Sequence, residues 1–287
     1  MTTPPGEQSP YFRASAETDV NKGQATIRID TSPNGVATIW FDNAARRNAL
    51  SDPMLDDIID VMGRLAKDDG CRLLVLRGAG GTFCAGRDVG GGVDLNSIRG
   101  GLTRLGDLLT TLRAFPRPTL AAVEGAAMGL GMAVVASCDL AIAEEHAIFA
   151  IPEAKMGMSP TFTAVVALRS LPRKTAMEVM LTARRLSAAE AKAAGLVNTV
   201  VPKDCLGVAI DEMTAAILAL SPSALERAKE LGQAIEGLDF DQAIGCAIET
   251  GLAAVHDPDV AEGMAAFRAK RTPVWSQIRV TPVVRAG

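Results

Sequence analysis

The sequence predicts an α/β protein, and three observations predict it. From residue 25 onward short β-branched runs alternate with amphipathic stretches. A strand, a glycine turn and a helix recur as a unit. A chain of 287 residues that is 48% apolar buries one sizeable core and leaves room for a smaller appendage. Residues 1–23, rich in Pro, Ser, Thr and charge and without a hydrophobic run, read as a flexible tail.

The elements follow in order. Gly35 to Phe41 reads as a strand, and Asp52-Pro53 then opens a helix, Asp52 as N-cap and Pro53 at the first position, with the apolar stripe Leu55, Ile58, Ile59, Met62, Leu65. Arg72 to Arg77 has the continuous apolar character of a buried strand, and glycine-rich residues 78–92 follow it. Helical spacing returns from Leu102 to Leu112, and Thr119 to Val123 is a third strand. Glu124-Gly125 turns the chain into a small-residue helix around Gly131 to Ser137, after which Asp139 to Ala143 and Ala147 to Phe149 read as strands. Past Pro152 the balance moves to helix: Ser187 and Glu190 form a capping box whose helix stops at Gly195. Leu196 to Val201 is the last strand; Ala209 to Leu220, Ala224 to Ile235 and Val260 to Ala269 are helices. A boundary near residue 205 therefore divides a mixed core, 24–205, from a helical part, 206–287.

Composition removes several function classes. A net charge of -4 leaves no basic stripe for a phosphate backbone, so nucleic acid is not an expected partner. The longest apolar or small stretch, Gly125 to Cys138, is too short to span a bilayer and is loaded with Gly, Ala and Ser, so no membrane partner is expected either. Five cysteines at wide spacing without a C-x-x-C pair suggest neither a disulfide framework nor a zinc site, and a reducing cytoplasm fits them. With two histidines, a histidine-rich metal centre is not supplied, and no metal is expected. The chemistry must rest on carboxylates or on backbone.

Two glycine turns offer backbone. Phe83-Cys-Ala-Gly-Arg-Asp-Val89 follows a buried strand and turns sharply at Gly86, exposing successive N–H groups. Gly125-Ala-Ala-Met-Gly-Leu-Gly131 precedes a helix and frees its first N–H groups, where the helix dipole favours negative charge. Neither is a dinucleotide fingerprint or a phosphate loop of the G-x-x-x-x-G-K-[ST] kind. A glycine turn taken alone is more often only a turn.

The order of motifs goes further. Arg47-Asn-Ala-Leu50, Phe83-Cys-Ala-Gly-x-Asp88, Glu124-Gly-x-Ala-x-Gly-x-Gly131 and Cys138-Asp-Leu-Ala-Ile-Ala143 stand in sequence. Ile151-Pro-Glu153, Leu181-Thr-x-x-x-Leu-Ser-Ala-x-Glu190-Ala, Ala194-Gly-Leu-Val197 and Glu262-Gly-x-x-Ala-Phe-x-x-Lys-Arg271 follow them. Over about residues 25–271 the chain resembles the enoyl-CoA hydratase/isomerase, or crotonase, superfamily. The resemblance implies a spiral of repeated β-β-α units with a C-terminal helical domain that packs subunits into trimers or hexamers. It implies an acyl-CoA substrate, with CoA arriving as part of that substrate and no separate cofactor.

It also assigns roles. The thioester oxygen would accept from the backbone N–H of Arg87 and of Leu130, although Leu130 departs from the family's usual Gly-Gly-Gly run. Forming an enolate needs such fixed donors, and losing one typically costs about 3 kcal/mol. The Arg87 side chain is expected to be ion-paired or solvated. CoA would lie against Arg47, Ala49, Ala85, Gly86 and Asp88, with Phe267 and Lys270 brought from a neighbouring subunit. Hydratases of the family use two glutamates; here the first position is Ala133 and the second is Glu153. A lone base suits moving a proton between two carbons of one enolate, a 3-enoyl to 2-enoyl isomerisation. The alternatives are a hydratase in which another acid substitutes, Asp94 before Asp88, Glu144 or Glu145; a thioester hydrolase or C–C cleaving enzyme; and a non-catalytic acyl-CoA binder. Met158-Ser-Pro-Thr-Phe162 stands where the family carries a glycine-rich stretch, which alters the acyl pocket.

Overall fold

The computed structural model describes residues 26–88 and 95–276. The tail expected at 1–23 and the candidate acid Asp94 lie outside these residues. The chain begins with the strands β1 (Thr26–Thr31) and β2 (Val36–Asp42), a 3-10 turn (Ala44–Arg46), α1 (Asp52–Leu65), β3 (Leu73–Gly78) and α2 (Leu95–Ala114). Next come β4 (Thr119–Val123), β5 (Ala126–Met128), α3 (Leu130–Ser137), β6 (Leu140–Glu144) and β7 (Ile148–Ala150). A second 3-10 turn (Glu153–Met156), α4 (Thr161–Ser170), α5 (Arg173–Thr182), β8 (Arg185–Ser187), α6 (Ala188–Ala193) and β9 (Thr199–Val201) follow. The remainder is helical: α7 (Leu206–Leu218), α8 (Pro222–Ala234), α9 (Phe240–Ala254) and α10 (Pro258–Ala269).

The strands form two sheets, one of order β1-β2-β3-β4-β6-β9 and one of order β5-β7-β8. In the large sheet only the β1–β2 hairpin is antiparallel; β2 to β9 run parallel. Period-two alternation explains why its central strands are apolar throughout. Ala37, Ile39, Phe41, Leu74, Leu76, Ala121 and Val123 face a core closed by α1, α2 and α3. Val36, Leu73, Val75, Leu120, Ala122 and Ile142 face a second core capped by Leu206, Ala209, Ile210 and Ile217 of α7. The first helix after residue 205 thus shares its core with the sheet.

Each turn of the chain places one strand in each sheet and then a helix, as in β4-β5-α3 and β6-β7 followed by α4. This is the spiral of β-β-α units. The step from β4 to β5 is made at Gly125, φ +58°, where a Cβ would collide with the Gly81 carbonyl, so only glycine fits. Along its other side the small sheet continues as single-residue bridges, Cys84 to Ala127 and Leu50 to Arg87.

Several boundaries differ from the sequence expectation. Ser51, not Asp52, is the N-cap of α1, so Asp52 and Pro53 occupy the first turn. The helix expected at Leu102–Leu112 runs from Leu95 to Ala114; its glycines at 100, 101 and 106 hid the periodicity. β9 keeps only Thr199–Val201, because Leu196 and Val197 are buried without pairing as a strand. β1, β5 and β8 were not expected: β1 is half-exposed and mixed, and β5 and β8 have three residues each, too few to show a period. The capping box is formed, with Ser187 Oγ accepting from Glu190 N and Glu190 Oε2 accepting from Ser187 N. Among the described residues no single helix is long and apolar enough to cross a membrane. The bent pair α7 and α8 passes that test by length and composition alone, but α7 is apposed to the sheet.

Candidate active site

The first glycine turn is held by the segment before it. Arg47 and Asn48 both adopt left-handed backbone, φ 53° and 58°. Such strain in two consecutive non-glycine residues persists only where the surroundings enforce it. Asn48 is fully buried and supplies that enforcement: its Oδ1 accepts from Asn43 N (2.9 Å), and its Nδ2 donates to the carbonyls of Ala79 (2.7 Å) and Thr82 (2.6 Å). The segment 47–50 then clamps 85–88. Ala85 N donates to Arg47 O (3.0 Å), Leu50 N to Gly86 O (2.9 Å), and Asp88 N to Leu50 O (2.8 Å). Gly86 sits at φ +115°, a region closed to other residues, and a Cβ there would stand 3.2 Å from Met128 O and 4.0 Å from Leu130 N. The Arg87 N–H donates to no group among the described residues.

The second turn meets the first. Cys84 N donates to Ala126 O and Met128 N to Cys84 O, both 2.9 Å. Gly129, φ +52°, donates to Ala150 O (2.9 Å) and accepts from Ala133 N (3.0 Å). A Cβ on Gly131 would collide with the Cys84 carbonyl, so glycine there lets α3 close on the turn. Leu130 opens α3, and its N–H is among those a helix leaves unbonded at its start. Two unbonded backbone donors, Arg87 N and Leu130 N, therefore lie on adjacent turns, one at the edge of the small sheet and one at a helix N-terminus. That pairing suits an anionic oxygen.

Glu153 reaches the same place from β7. Its Oε1 would stand 3.3 Å from a Cβ on Gly129 and its Oε2 3.8 Å, so the carboxylate lies directly over the residue preceding Leu130. Oε1 accepts from Thr163 Oγ of α4 at 2.6 Å, and Oε2 is buried without a partner among the described residues. Ala133, one helical turn beyond Leu130, is fully buried and apolar. Cys84 lies under the turns, but burial pushes its thiol up to about 12, against a smaller lowering by its contact with Gly86, so it is not a thiolate nucleophile.

The remaining sequence candidates separate. Ala49 borders the clamp, its carbonyl accepting from Asn43 Nδ2 (2.9 Å). Arg47 exposes its side chain and contributes through its backbone. Asp88 is held by Arg46, whose Nη1 donates to both carboxylate oxygens at 2.8 Å. The Arg87 side chain turns away, pairing with Asp52 at 3.2 Å and lying against Gly101 of α2, where a Cβ would collide with the guanidinium. Glu144 and Glu145 accept from the backbone of Asp204 and Lys203, at the turn after β9. Phe267, 82% exposed, and Lys270, in left-handed backbone at the end of α10, make no hydrogen bond or ion pair to the turns among the described residues. Among the described residues no group of three or more His, Cys, Asp or Glu is placed to hold a metal ion. The sequence reading missed Thr163 and Arg46. Neither belongs to a glycine turn, and Arg46 had no signal beyond its place beside the Arg-Asn-Ala-Leu motif.

Two interlocked sheets wound by β-β-α turns, with backbone donors where the turns meet, define the crotonase class of protein. A sequence model of the family described as enoyl-CoA hydratase/isomerase matches residues 31–279, and the chain belongs to that family. A relative from Bos taurus, enoyl-CoA hydratase domain-containing protein 2, mitochondrial, is 37% identical over 253 residues, 84% of each chain. A putative enoyl-CoA hydratase of Thermus thermophilus is 32% identical over 260 residues, 85% of this chain and 99% of its own. Among solved structures, an enoyl-CoA hydratase of Mycobacterium smegmatis superposes with a TM-score of 0.84 at 32% identity, covering 87% of this chain and 98% of that one.

Proposed function

We propose that the chain is an acyl-CoA thioester enzyme that moves a double bond from the 3 to the 2 position, using Glu153 alone to carry the proton. The observation that carries this is the pairing of a carboxylate over Gly129 with a fully buried Ala133 where a second acid would be needed. The thioester oxygen accepts from Arg87 N and Leu130 N. Glu153 removes a proton from C2, and the electron pair of that C–H bond enters the dienolate, whose oxygen the two donors hold. The same carboxyl then returns the proton to C4, the C3–C4 double bond becoming C2–C3. Atoms and charge balance within one substrate, and no water enters.

Support for CoA binding comes from the segments around the turns: Arg47, Ala49, Ala85, Gly86 and Asp88 from one subunit, Phe267 and Lys270 from its neighbour. The latter pair stands free of the turns in one chain, which supports a trimer or a dimer of trimers joined through the helical part, 206–287. A reducing cytoplasm is the proposed setting, although the Bos taurus relative is named as mitochondrial. Water addition is the second possibility, favoured by relatives named as enoyl-CoA hydratases.

The discriminating assay offers a 3-enoyl-CoA and crotonyl-CoA to the wild type and to Glu153→Gln. The expected result is double-bond migration that falls at least about 100-fold in Glu153→Gln, with slow hydration throughout. Migration that persists in the variant removes Glu153 as the base. Rapid crotonyl-CoA hydration by the wild type turns the assignment to a hydratase, and release of free CoA to a hydrolase.

A further inference from the structure

We propose that Thr163 is a positioning residue that decides which oxygen of Glu153 carries the proton; this rests on Glu153 being the base. Thr163 is 4% exposed, and its hydroxyl makes one hydrogen bond among the described residues, to Glu153 Oε1 at 2.6 Å. It stands in the first turn of α4, on the same face as buried Ala167, and α4 packs against α3, which carries Leu130 and Ala133. The donor and the oxyanion turn are thereby fixed to one another by two packed helices. The hydroxyl is held on the Glu153 side by its 2.6 Å bond to Oε1 and by the burial of the side chain.

The chemistry follows from the donor inventory. An ionised carboxylate only accepts, so the Thr163 hydroxyl must donate to Oε1. The bond can persist after Glu153 takes up a proton, because the new proton then resides on Oε2. Oε2 is buried and has no partner among the described residues; it lies 3.8 Å from the point where a Gly129 Cβ would sit, against 3.3 Å for Oε1. One oxygen becomes a pivot and the other the carrier. A single base that serves two carbons of one substrate needs this division, since a carboxylate free to rotate would present either oxygen to either carbon.

The test measures steady-state migration of a 3-enoyl-CoA by Thr163→Val, Thr163→Ser and Glu153→Gln, with a thermal melt of each. Valine keeps the volume and removes the donor; serine returns the donor without the methyl group. The expected result is a kcat lower by about 10- to 100-fold in Thr163→Val with KM within about twofold of wild type, and recovery of most of the loss in Thr163→Ser. A wild-type kcat in Thr163→Val, with Glu153→Gln inactive, overturns the role of Thr163 and leaves Glu153 as base. Equal losses in Thr163→Val and Thr163→Ser at unchanged melting temperature also overturn it, since packing and not the hydroxyl would then matter. Full migration by Glu153→Gln overturns the assignment of the base itself.

Discussion

At the scale of single residues, the candidate site is made by backbone that only glycine adopts and by one amide that holds it there. Gly86 shows the coupling. At φ +115° a Cβ is strained, and it would press on Met128 O at 3.2 Å, the carbonyl two residues before Leu130. Gly86→Ala should therefore lower kcat/KM for a 3-enoyl-CoA by about 100-fold, the scale of a lost oxyanion donor, while costing about 1–3 kcal/mol in urea unfolding. Gly80→Ala is the control: it also has positive φ, 67°, but meets only the Ala44 side chain at 3.4 Å, so stability should fall and kinetics stay. Equal kinetic losses in both variants would mean that general destabilisation, not donor placement, sets the rate. These glycines were legible in the sequence because a glycine where a strand must turn is a local demand. Thr163 was not, because its importance lies in a partner ten residues away across a turn, which periodicity does not encode.

At the scale of elements, the end of the described chain is strapped to the helices by carboxylates. Glu262 of α10 accepts from Arg271 at 2.6 and 2.9 Å and from Val274 N at 2.7 Å. Those donors hold its carboxyl down from 4.5 to about 2. Burial raises Asp259, but Ser221, Ser276 and Ser223 donate to it and outweigh that effect, so it also lies below its ordinary value. A depressed carboxylate stabilises the fold above its unfolded value and ceases to as pH falls through the folded one. The strap should thus hold at neutral pH and loosen between about pH 4.5 and 2. Trp275, whose Nε1 donates to Ala219 O at 2.9 Å, is the natural reporter. Its fluorescence should change through that window, and Glu262→Gln should remove part of the acid-dependent change. An identical acid titration in Glu262→Gln would show that the strap is held by other groups. None of these pairings was visible beforehand, because α10 could be read from its period but the partners of its acids depend on how 271–276 folds back.

At the scale of the whole molecule, the two cores account for how well the class was foreseen. Strands apolar on both faces need cover on both faces, and α1 to α3 on one side with α7 on the other provide it. Among the described residues, α9 leaves an apolar face exposed. Phe240, Ile244, Ile248 and Leu252 recur every fourth residue at 78%, 45%, 56% and 60% exposure, and α9 buries no residue fully. A contiguous apolar face of this kind marks an association surface, in keeping with the proposed trimer. Phe240→Glu combined with Leu252→Glu should sediment as a monomer in analytical ultracentrifugation and, if a neighbour supplies Lys270, should show a raised KM. Unchanged sedimentation would remove α9 from the interface.

The single-residue bridges at Cys84 and Leu50 have a consequence for what the proposed site is. On one side the small sheet ends in the single-residue bridges Cys84 to Ala127 and Leu50 to Arg87, and α3 begins two residues after β5, so one N–H sits at a sheet edge and the other at a helix start. In the proposed site an incoming carbonyl would complete both terminations at once, as the acceptor that neither the sheet edge nor the helix start has. Under the proposed function, a developing negative oxygen there would need no dedicated side chain. If the proposed site is right, backbone donors at 87 and 130 leave the Arg and Leu side chains free to serve elsewhere, as the Arg87–Asp52 pair at 3.2 Å does.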